Sequence, residues 1–266
     1  MLKHSLLTYL EKIRILLHKS RLLLLGLALG LSGQFALAQT ATVNIPTAAP
    51  TLIAPTAPGN AASIATLNVP TPPSLSAKAY LLIDANSGYI IAGNNAHTCM
   101  PPASLTKLMT MYVISGLLKT GQVKLSDQVT VSEKAWRTGG SRMFIREGTN
   151  VPVQDLVNGI IVVSGNDACI AMAEHVAGSE SAFVSLMNQT ATKLGMADTH
   201  YADATGLPDP SNYSTPYDLA ILARAIIYHY PEDYQWYSQK SMTYNKITQA
   251  NRNLLLFSDN TVVGNM

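Results

Sequence analysis

Pro101-Pro102-Ala103-Ser104-Leu105-Thr106-Lys107 is the stretch that decides how this chain folds and which chemistry it can carry. A serine and a lysine three residues apart lie on the same face of a helix, one turn from each other. The two prolines suit the first turn of a helix, where a missing N–H costs nothing. The spacing therefore predicts a helix that begins near Ser104 and holds an amine beside a hydroxyl.

Lys107 is the candidate base for Ser104. A serine hydroxyl is a poor nucleophile until an adjacent base takes its proton. Lysine can be that base only when burial or a nearby positive charge lowers its pKa. The residues that follow, 108–114, are almost wholly apolar. They predict a buried helix with Lys107 at the edge of the core.

A second polar group, Ser164-Gly165-Asn166, falls between two predicted helices, 153–161 and 168–176, the latter closed by Gly178 as a C-cap. A hydroxyl and an amide on a tight joint can hydrogen-bond a peptide substrate and relay a proton. The same residues also suit an ordinary helix–helix turn. Both interpretations of this joint stay open on the residues alone.

Taken together, Ser-x-x-Lys and Ser-x-Asn resemble the first two motifs of the penicillin-binding proteins and serine β-lactamases. The sequence around these motifs is similar to that of the low-molecular-mass D-alanyl-D-alanine carboxypeptidases. The similar segments are residues 101–110, 131–136, 164–169 and 251–255. The resemblance runs from about residue 77 to residue 263. It implies an α+β fold of the penicillin-binding-protein and β-lactamase type, with an antiparallel sheet and helices on its faces.

The resemblance also implies an acyl-enzyme route on a peptidoglycan pentapeptide. Ser104 would attack the carbonyl between two terminal D-alanines, with Lys107 as general base and Ser164 as proton relay. Asn166 would hold the substrate amide and orient Lys107. Arg252 matches the position that meets the terminal carboxylate, although a plain surface arginine fits the residue equally well. The main-chain N–H of Ser104 would form half of an oxyanion hole.

Partners and cofactors follow from the same resemblance. It implies β-lactam antibiotics as covalent inhibitors. We predict no cofactor and no metal, because the two cysteines and six histidines show no metal-ligand spacing. Cys99 and Cys169 are predicted to be unpaired, with a disulfide left as the alternative for an exported protein.

The family's third motif, Lys-Thr-Gly, should follow soon after residues 251–253. The residues from 254 to Met266 do not contain Lys-Thr-Gly, which predicts a catalytic domain truncated before this motif. Whether such a chain is active stays open. Lys119-Thr120-Gly121 spells the motif at the wrong place in the order. A lysine in the last turn and a glycine just beyond it are helix-stop signals, so these residues predict a C-cap.

Three functions fit this sequence. The first is a D-Ala-D-Ala carboxypeptidase, and the second is a defective remnant that only binds penicillin or peptidoglycan. The third is a class A-like β-lactamase, which needs a carboxylate to activate its deacylating water. Residues 193–218 offer Asp198, Asp203 and Asp209 but no glutamate, a pattern that favours the carboxypeptidase.

The N-terminal part predicts export. Residues 1–38 combine five basic residues, a short apolar run and Ala36-Leu37-Ala38, as in a signal peptide cleaved on the way to the periplasm. An uncleaved segment would instead associate with the membrane. Residues 39–76 are rich in Ala, Thr and Pro and predict a disordered linker, which leaves 77–266 for the catalytic domain.

Charge excludes one class of partner. The full chain has 18 basic and 16 acidic residues, a net charge of +2. Without residues 1–38, which hold five of the bases and one acid, 13 bases and 15 acids remain, a net charge of −2. No basic stripe is left, so nucleic acid is not an expected partner.

Four more elements are expected. A hairpin is predicted over residues 80–92, with its turn at 84–88, and short strands over 128–131 and 240–248. The loop 138–142 should lie beside the cleft. Thr215-Pro216-Tyr217-Asp218 predicts a capped helix start, with the helix running to about residue 228 and stopping at Pro231.

Overall fold

The computed structural model of this chain describes residues 51–52 and 74–258. The predicted signal peptide, most of the predicted linker and the last eight residues of the sequence lie outside this range. The helices run Thr106–Lys119 (α1), Glu133–Arg137 (α2), Val153–Val163 (α3), Asn166–Ala177 (α4), Glu180–Leu194 (α5), Pro216–His229 (α6), Pro231–Tyr234 (α7) and Leu255–Ser258 (α8). Two 3-10 turns cover Ala103–Leu105 and Gln235–Ser238.

The helix that follows the Ser-x-x-Lys motif is the centre of the domain. Every residue of α1 from Thr106 to Leu117 is buried. Helices α3, α4, α5 and α6 all pack against it. A helix surrounded in this way has no solvent face, which explains why its sequence is apolar all round instead of on one stripe.

The predicted helix boundaries are largely confirmed. Residues 153–161 and 168–176 lie in α3 and α4, and Gly178 caps α4 in the left-handed conformation. Thr215 caps α6, where its hydroxyl accepts from the Asp218 N–H at 3.1 Å. Helix α1 ends at Lys119 with Thr120 as its C-cap, as the helix-stop signals predict.

Six strands pair as antiparallel ribbons in the described part of the chain: Tyr80–Ile83 (β1) with Ile90–Asn94 (β2), Gln128–Thr130 (β3) with Asn150–Pro152 (β4), and Ser241–Tyr244 (β5) with Ile247–Ala250 (β6). The α+β class and the hairpin over 80–92 are confirmed. In place of the single predicted sheet, the described residues form three two-stranded ribbons.

The single strand predicted over 240–248 was wrong. Residues 241–250 form the β5–β6 hairpin, whose turn residues Asn245 and Lys246 have φ values of 48° and 65°. Two successive residues with positive φ make the tight turn that suits the twist of paired strands. Asn-Lys lacks the glycine that usually marks such a turn, so the sequence reads as a continuous strand.

Two residues of the predicted linker lie against the domain. The Leu52 side chain is buried in the main core, and the Thr51 carbonyl accepts a hydrogen bond of 2.9 Å from Arg224 Nη1. The same guanidinium donates to the carbonyls of Ala85 and Asn86 in the β1–β2 turn. Arg224 thus joins residue 51 to the first hairpin.

Cys99 is exposed and Cys169 is buried, and both are free thiols, as predicted. Within the described ranges, no helix has the length and apolar character needed to cross a membrane.

Candidate active site

Ser104 and Lys107 are in direct contact. Ser104 lies in the 3-10 turn before α1, and Lys107 lies in the first turn of α1 itself. The Lys107 Nζ donates to the Ser104 Oγ at 3.4 Å. Side chains three residues apart at the start of a helix lie on the same face, which brings the amine over the hydroxyl. A long hydrogen bond is common between catalytic groups before a substrate tightens them.

Lys107 is fully buried, and its second partner is a main-chain carbonyl. Nζ donates to the Thr205 carbonyl oxygen at 2.6 Å. Burial lowers the pKa of the Lys107 amine, and the positive charge of Arg252 lowers it further, whereas Cys169 and Asp203 oppose the shift. The surroundings therefore favour the neutral amine that a general base requires.

The residue before the nucleophile has an uncommon backbone conformation. Ala103 has φ of 49°, a region that costs a non-glycine residue about 1–2 kcal/mol. Such strain persists only where neighbouring structure holds it. Gly206 supplies that neighbour, because a Cβ built on it would overlap the Ala103 carbonyl and lie 2.9 Å from Thr106 Oγ1.

Ser164 ends α3 in the left-handed conformation, with φ of 57° and ψ of 43°. It is 2% exposed, and its Oγ has no hydrogen-bond partner among the described residues. Most buried hydroxyls in native proteins have a partner. An unpartnered hydroxyl on the joint between α3 and α4 is chemically available to a bound substrate or to a proton in transit.

Asn166 begins α4 and holds the loop 138–142. Its main-chain N–H donates to the Ser141 carbonyl at 2.7 Å, and its Nδ2 donates to the Gly139 carbonyl at 2.8 Å. The loop predicted to lie beside the cleft therefore contacts this predicted site residue. Lys107 Nζ donates to the Thr205 carbonyl in this structure, and the orienting of Lys107 by Asn166 stays a prediction.

Asp167 is a residue of the site region that the sequence reasoning missed. It is buried, and its carboxylate accepts from the main-chain N–H groups of Met143, Phe144 and Ile145 at 2.9–3.2 Å. Burial raises the pKa of Asp167, and these hydrogen bonds act against that rise. The carboxylate fixes residues 143–145 next to the start of α4. An aspartate in the first helical turn was the available signal.

Arg252 lies on a turn whose two flanking asparagines hold it. Asn251 is buried, and its side chain donates to the Gln239 carbonyl and accepts from the Asn253 N–H at 2.9 Å each. Arg252 itself is exposed, and it is close enough for its charge to act on Lys107. The Arg252 residue is thus exposed between two anchored asparagines, and its contact with a substrate carboxylate stays a prediction.

The aspartates considered for a β-lactamase have other partners. Asp203 and Asp209 each use Oδ1 to accept from main-chain N–H groups two or three residues ahead, at 2.6–2.8 Å.

Lys119-Thr120-Gly121 lies at the far end of α1, about 18 Å from Lys107 along the helix axis. No group of three or more potential metal ligands occurs in the described ranges.

Comparison with known proteins identifies relatives of this chain. The sequence profile of the D-alanyl-D-alanine carboxypeptidase family, peptidase S11, matches residues 66–266. The D-alanyl-D-alanine carboxypeptidase DacC of Escherichia coli (strain K12) is 46% identical over 200 residues, which are 73% of this chain and 50% of that protein. The chain thus spans about half the length of the curated relatives it matches.

Comparison with solved structures also finds penicillin-binding proteins of similar fold. Penicillin-binding protein 6B from Escherichia coli has a TM-score of 0.69 at 45% identity, covering 73% of this chain and 63% of that one. Penicillin-binding protein D2 from Listeria monocytogenes, in its ampicillin-bound form, has a TM-score of 0.64 at 28% identity, covering 71% and 77%. The fold expected from the motifs is therefore confirmed.

Proposed function

This chain belongs to the D-alanyl-D-alanine carboxypeptidase family, and on that basis we propose that it is a serine-type D-Ala-D-Ala carboxypeptidase acting on peptidoglycan stem peptides. The observation that carries the proposal is the buried Lys107 amine, 3.4 Å from the Ser104 hydroxyl at the start of a buried helix. A neutral amine at this distance is the base that a serine nucleophile needs.

Acylation joins the Ser104 oxygen to the substrate as an ester. Lys107 Nζ takes the Ser104 proton while Oγ bonds to the carbonyl carbon between the two terminal D-alanines. As the C–N bond breaks, the proton held by Lys107 passes by way of the Ser164 hydroxyl to the leaving amine of D-alanine. Water hydrolyses the resulting ester and regenerates Ser104. The main-chain N–H of Ser104 stabilises the oxyanion.

Asn166 and Arg252 are the proposed substrate-binding residues. Asn166 lies at the start of α4, where its side-chain oxygen can accept from a peptide N–H. The guanidinium of Arg252 is exposed and always charged, which suits the terminal carboxylate of the stem peptide. Its charge also favours a neutral Lys107.

β-Lactam antibiotics are the proposed covalent inhibitors, since a strained cyclic amide acylates the same serine. Support comes from the ampicillin-bound structure of the Listeria relative. We further propose that residues 1–38 direct export to the periplasm and that 39–76 connect this segment to the domain, with Thr51 and Leu52 docked on it. An uncleaved 1–38 segment would keep the protein at the membrane, and sequencing the N-terminus of the exported protein separates the two cases.

The test is release of D-alanine from a synthetic pentapeptide by the purified chain. We expect release by the unaltered protein and by Ser185→Ala, which alters an exposed serine of α5. We expect none from Ser104→Ala. Equal release by Ser104→Ala, or no release by any of the three, would overturn the proposed activity.

A further inference from the structure

A tight turn built on one carboxylate oxygen lies beside the Ser104–Lys107 pair. Asp203 Oδ1 accepts from the main-chain N–H of Thr205, from the Thr205 hydroxyl and from the N–H of Gly206, each at 2.6 Å. Side-chain acceptors of this kind fix a turn in place of a main-chain hydrogen bond. The conformation of residues 203–206, which we call the Asp203 turn, therefore rests mainly on this oxygen, with one further side-chain hydrogen bond of 3.1 Å from the Ala204 N–H to Glu180 Oε1.

The Asp203 turn contacts helix α1 at two points and the 3-10 turn before α1 at a third. The Ala204 carbonyl accepts from Thr110 Oγ1 at 2.8 Å, and the Thr205 carbonyl accepts from Lys107 Nζ at 2.6 Å. Gly206 lies directly on the Ala103 carbonyl, where any Cβ would overlap it. One turn thus holds both the residue before the nucleophile and the candidate base.

We propose that Asp203 is a positioning residue: its carboxylate shapes the turn that fixes the Lys107 amine against Ser104. The inference rests on the proposed serine chemistry, but it concerns a residue outside the Ser-x-x-Lys and Ser-x-Asn motifs. Asp203 touches neither Ser104 nor a substrate in this scheme. It acts through the Thr205 carbonyl.

Asp203 also contributes a charge. The charged or ionisable groups that act on Lys107 are Asp203, Cys169 and Arg252. The negative charge of Asp203 raises the pKa of Lys107, against the larger effect of burial. Shape and charge therefore have separable effects. Asparagine retains an Oδ1 acceptor without the charge, whereas alanine removes both.

The experiment measures the rate of acylation by a fluorescent penicillin as a function of pH for four proteins: the unaltered chain, Asp203→Asn, Asp203→Ala and Asp209→Ala. Asp209 is the matched control, because it makes the same kind of turn with Ser211 at an exposed position. We expect Asp203→Ala to lose at least about tenfold in rate and Asp209→Ala to keep the full rate.

Asp203→Asn should keep most of the rate, since all three hydrogen bonds use Oδ1 alone. Its rate should reach a plateau at lower pH, because loss of the negative charge lowers the Lys107 pKa further. A purely structural residue would not move this pH dependence. An unchanged rate in Asp203→Ala, or an equal loss in Asp209→Ala, would overturn the inference.

A second measurement separates this inference from the proposed function. If the unaltered chain forms no adduct, the function fails, and the NMR titration of the Lys107 side chain decides the rest. A lower pKa for Lys107 in Asp203→Asn than in Asp209→Asn supports the coupling. Equal pKa values would contradict it.

Discussion

Gly206→Ala is the sharpest test of the contact between the Asp203 turn and the 3-10 turn before α1. Gly206 has φ of 81°, and a Cβ there would overlap the Ala103 carbonyl. Gly195 is the control, because it has φ of 78° at the end of α5 but open space around its Cβ position. Both substitutions introduce the same backbone strain, and only one introduces the overlap.

The magnitudes follow from these two geometries. Left-handed backbone costs a non-glycine residue about 1–2 kcal/mol, which is the expected loss for Gly195→Ala. Gly206→Ala adds displacement of the turn, which leaves the buried Thr205 carbonyl without its hydrogen bond from Lys107, at a cost of about 1–3 kcal/mol. We therefore expect Gly206→Ala to be less stable than Gly195→Ala by about 1–3 kcal/mol. For a domain of this size that is about 2–12 °C in Tm.

The assay is urea denaturation followed by circular dichroism, together with the rate of acylation by a fluorescent penicillin. Gly195→Ala should acylate like the unaltered chain, and Gly206→Ala should acylate more slowly at temperatures where both are folded. If the two variants unfold at the same urea concentration and acylate equally fast, then the turn does not brace Ala103 and Lys107, and the reasoning is refuted.

Three further outcomes are expected. Between the lowered pKa of Lys107 and the ordinary lysine value of 10.5, the unfolded chain binds a proton that the folded chain lacks, so stability should rise with pH. Lys107→Met should lack that rise in denaturation measured from about pH 7 to about pH 10, and parallel curves would contradict it. Asp167→Asn should lose about 2–4 kcal/mol of unfolding free energy, because an amide cannot accept from every main-chain N–H that the carboxylate binds; a loss below about 1 kcal/mol would argue against this network. Leu52→Ala should lower the free energy of unfolding by about 2–3 kcal/mol in denaturation experiments. The control Leu75→Ala, at an exposed position, should lower it by less than about 0.5 kcal/mol. Equal losses would mean that Leu52 does not pack on the core.

Local patterns were enough to predict the parts of the site that depend on neighbours in sequence. The Ser104–Lys107 contact follows from three-residue spacing at a helix start, and the α3–α4 joint follows from helical periodicity closed by Gly178. These features need only residues within a turn or two of each other. Helical spacing alone is therefore enough to predict them.

Partners made of main-chain atoms could not be predicted. The acceptor for Lys107 is the carbonyl of Thr205, 98 residues away, and Asp167 binds main-chain N–H groups. Nearly every residue carries a main-chain N–H and a carbonyl, so the side-chain pattern does not indicate which of these groups bonds to Lys107 or to Asp167. The hairpin at Asn245-Lys246 was missed for a related reason, since positive φ without glycine has a weak sequence signature.

We expect Ser104 to become acylated with Lys107 as its base. Intact-mass spectrometry of the purified chain after incubation with a penicillin measures this acylation, with peptide mapping to locate the adduct. We expect a mass gain of one penicilloyl group on Ser104, none in Ser104→Ala, and a much slower gain in Lys107→Met. An adduct that survives in Ser104→Ala, or no adduct on the folded unaltered chain, would contradict it.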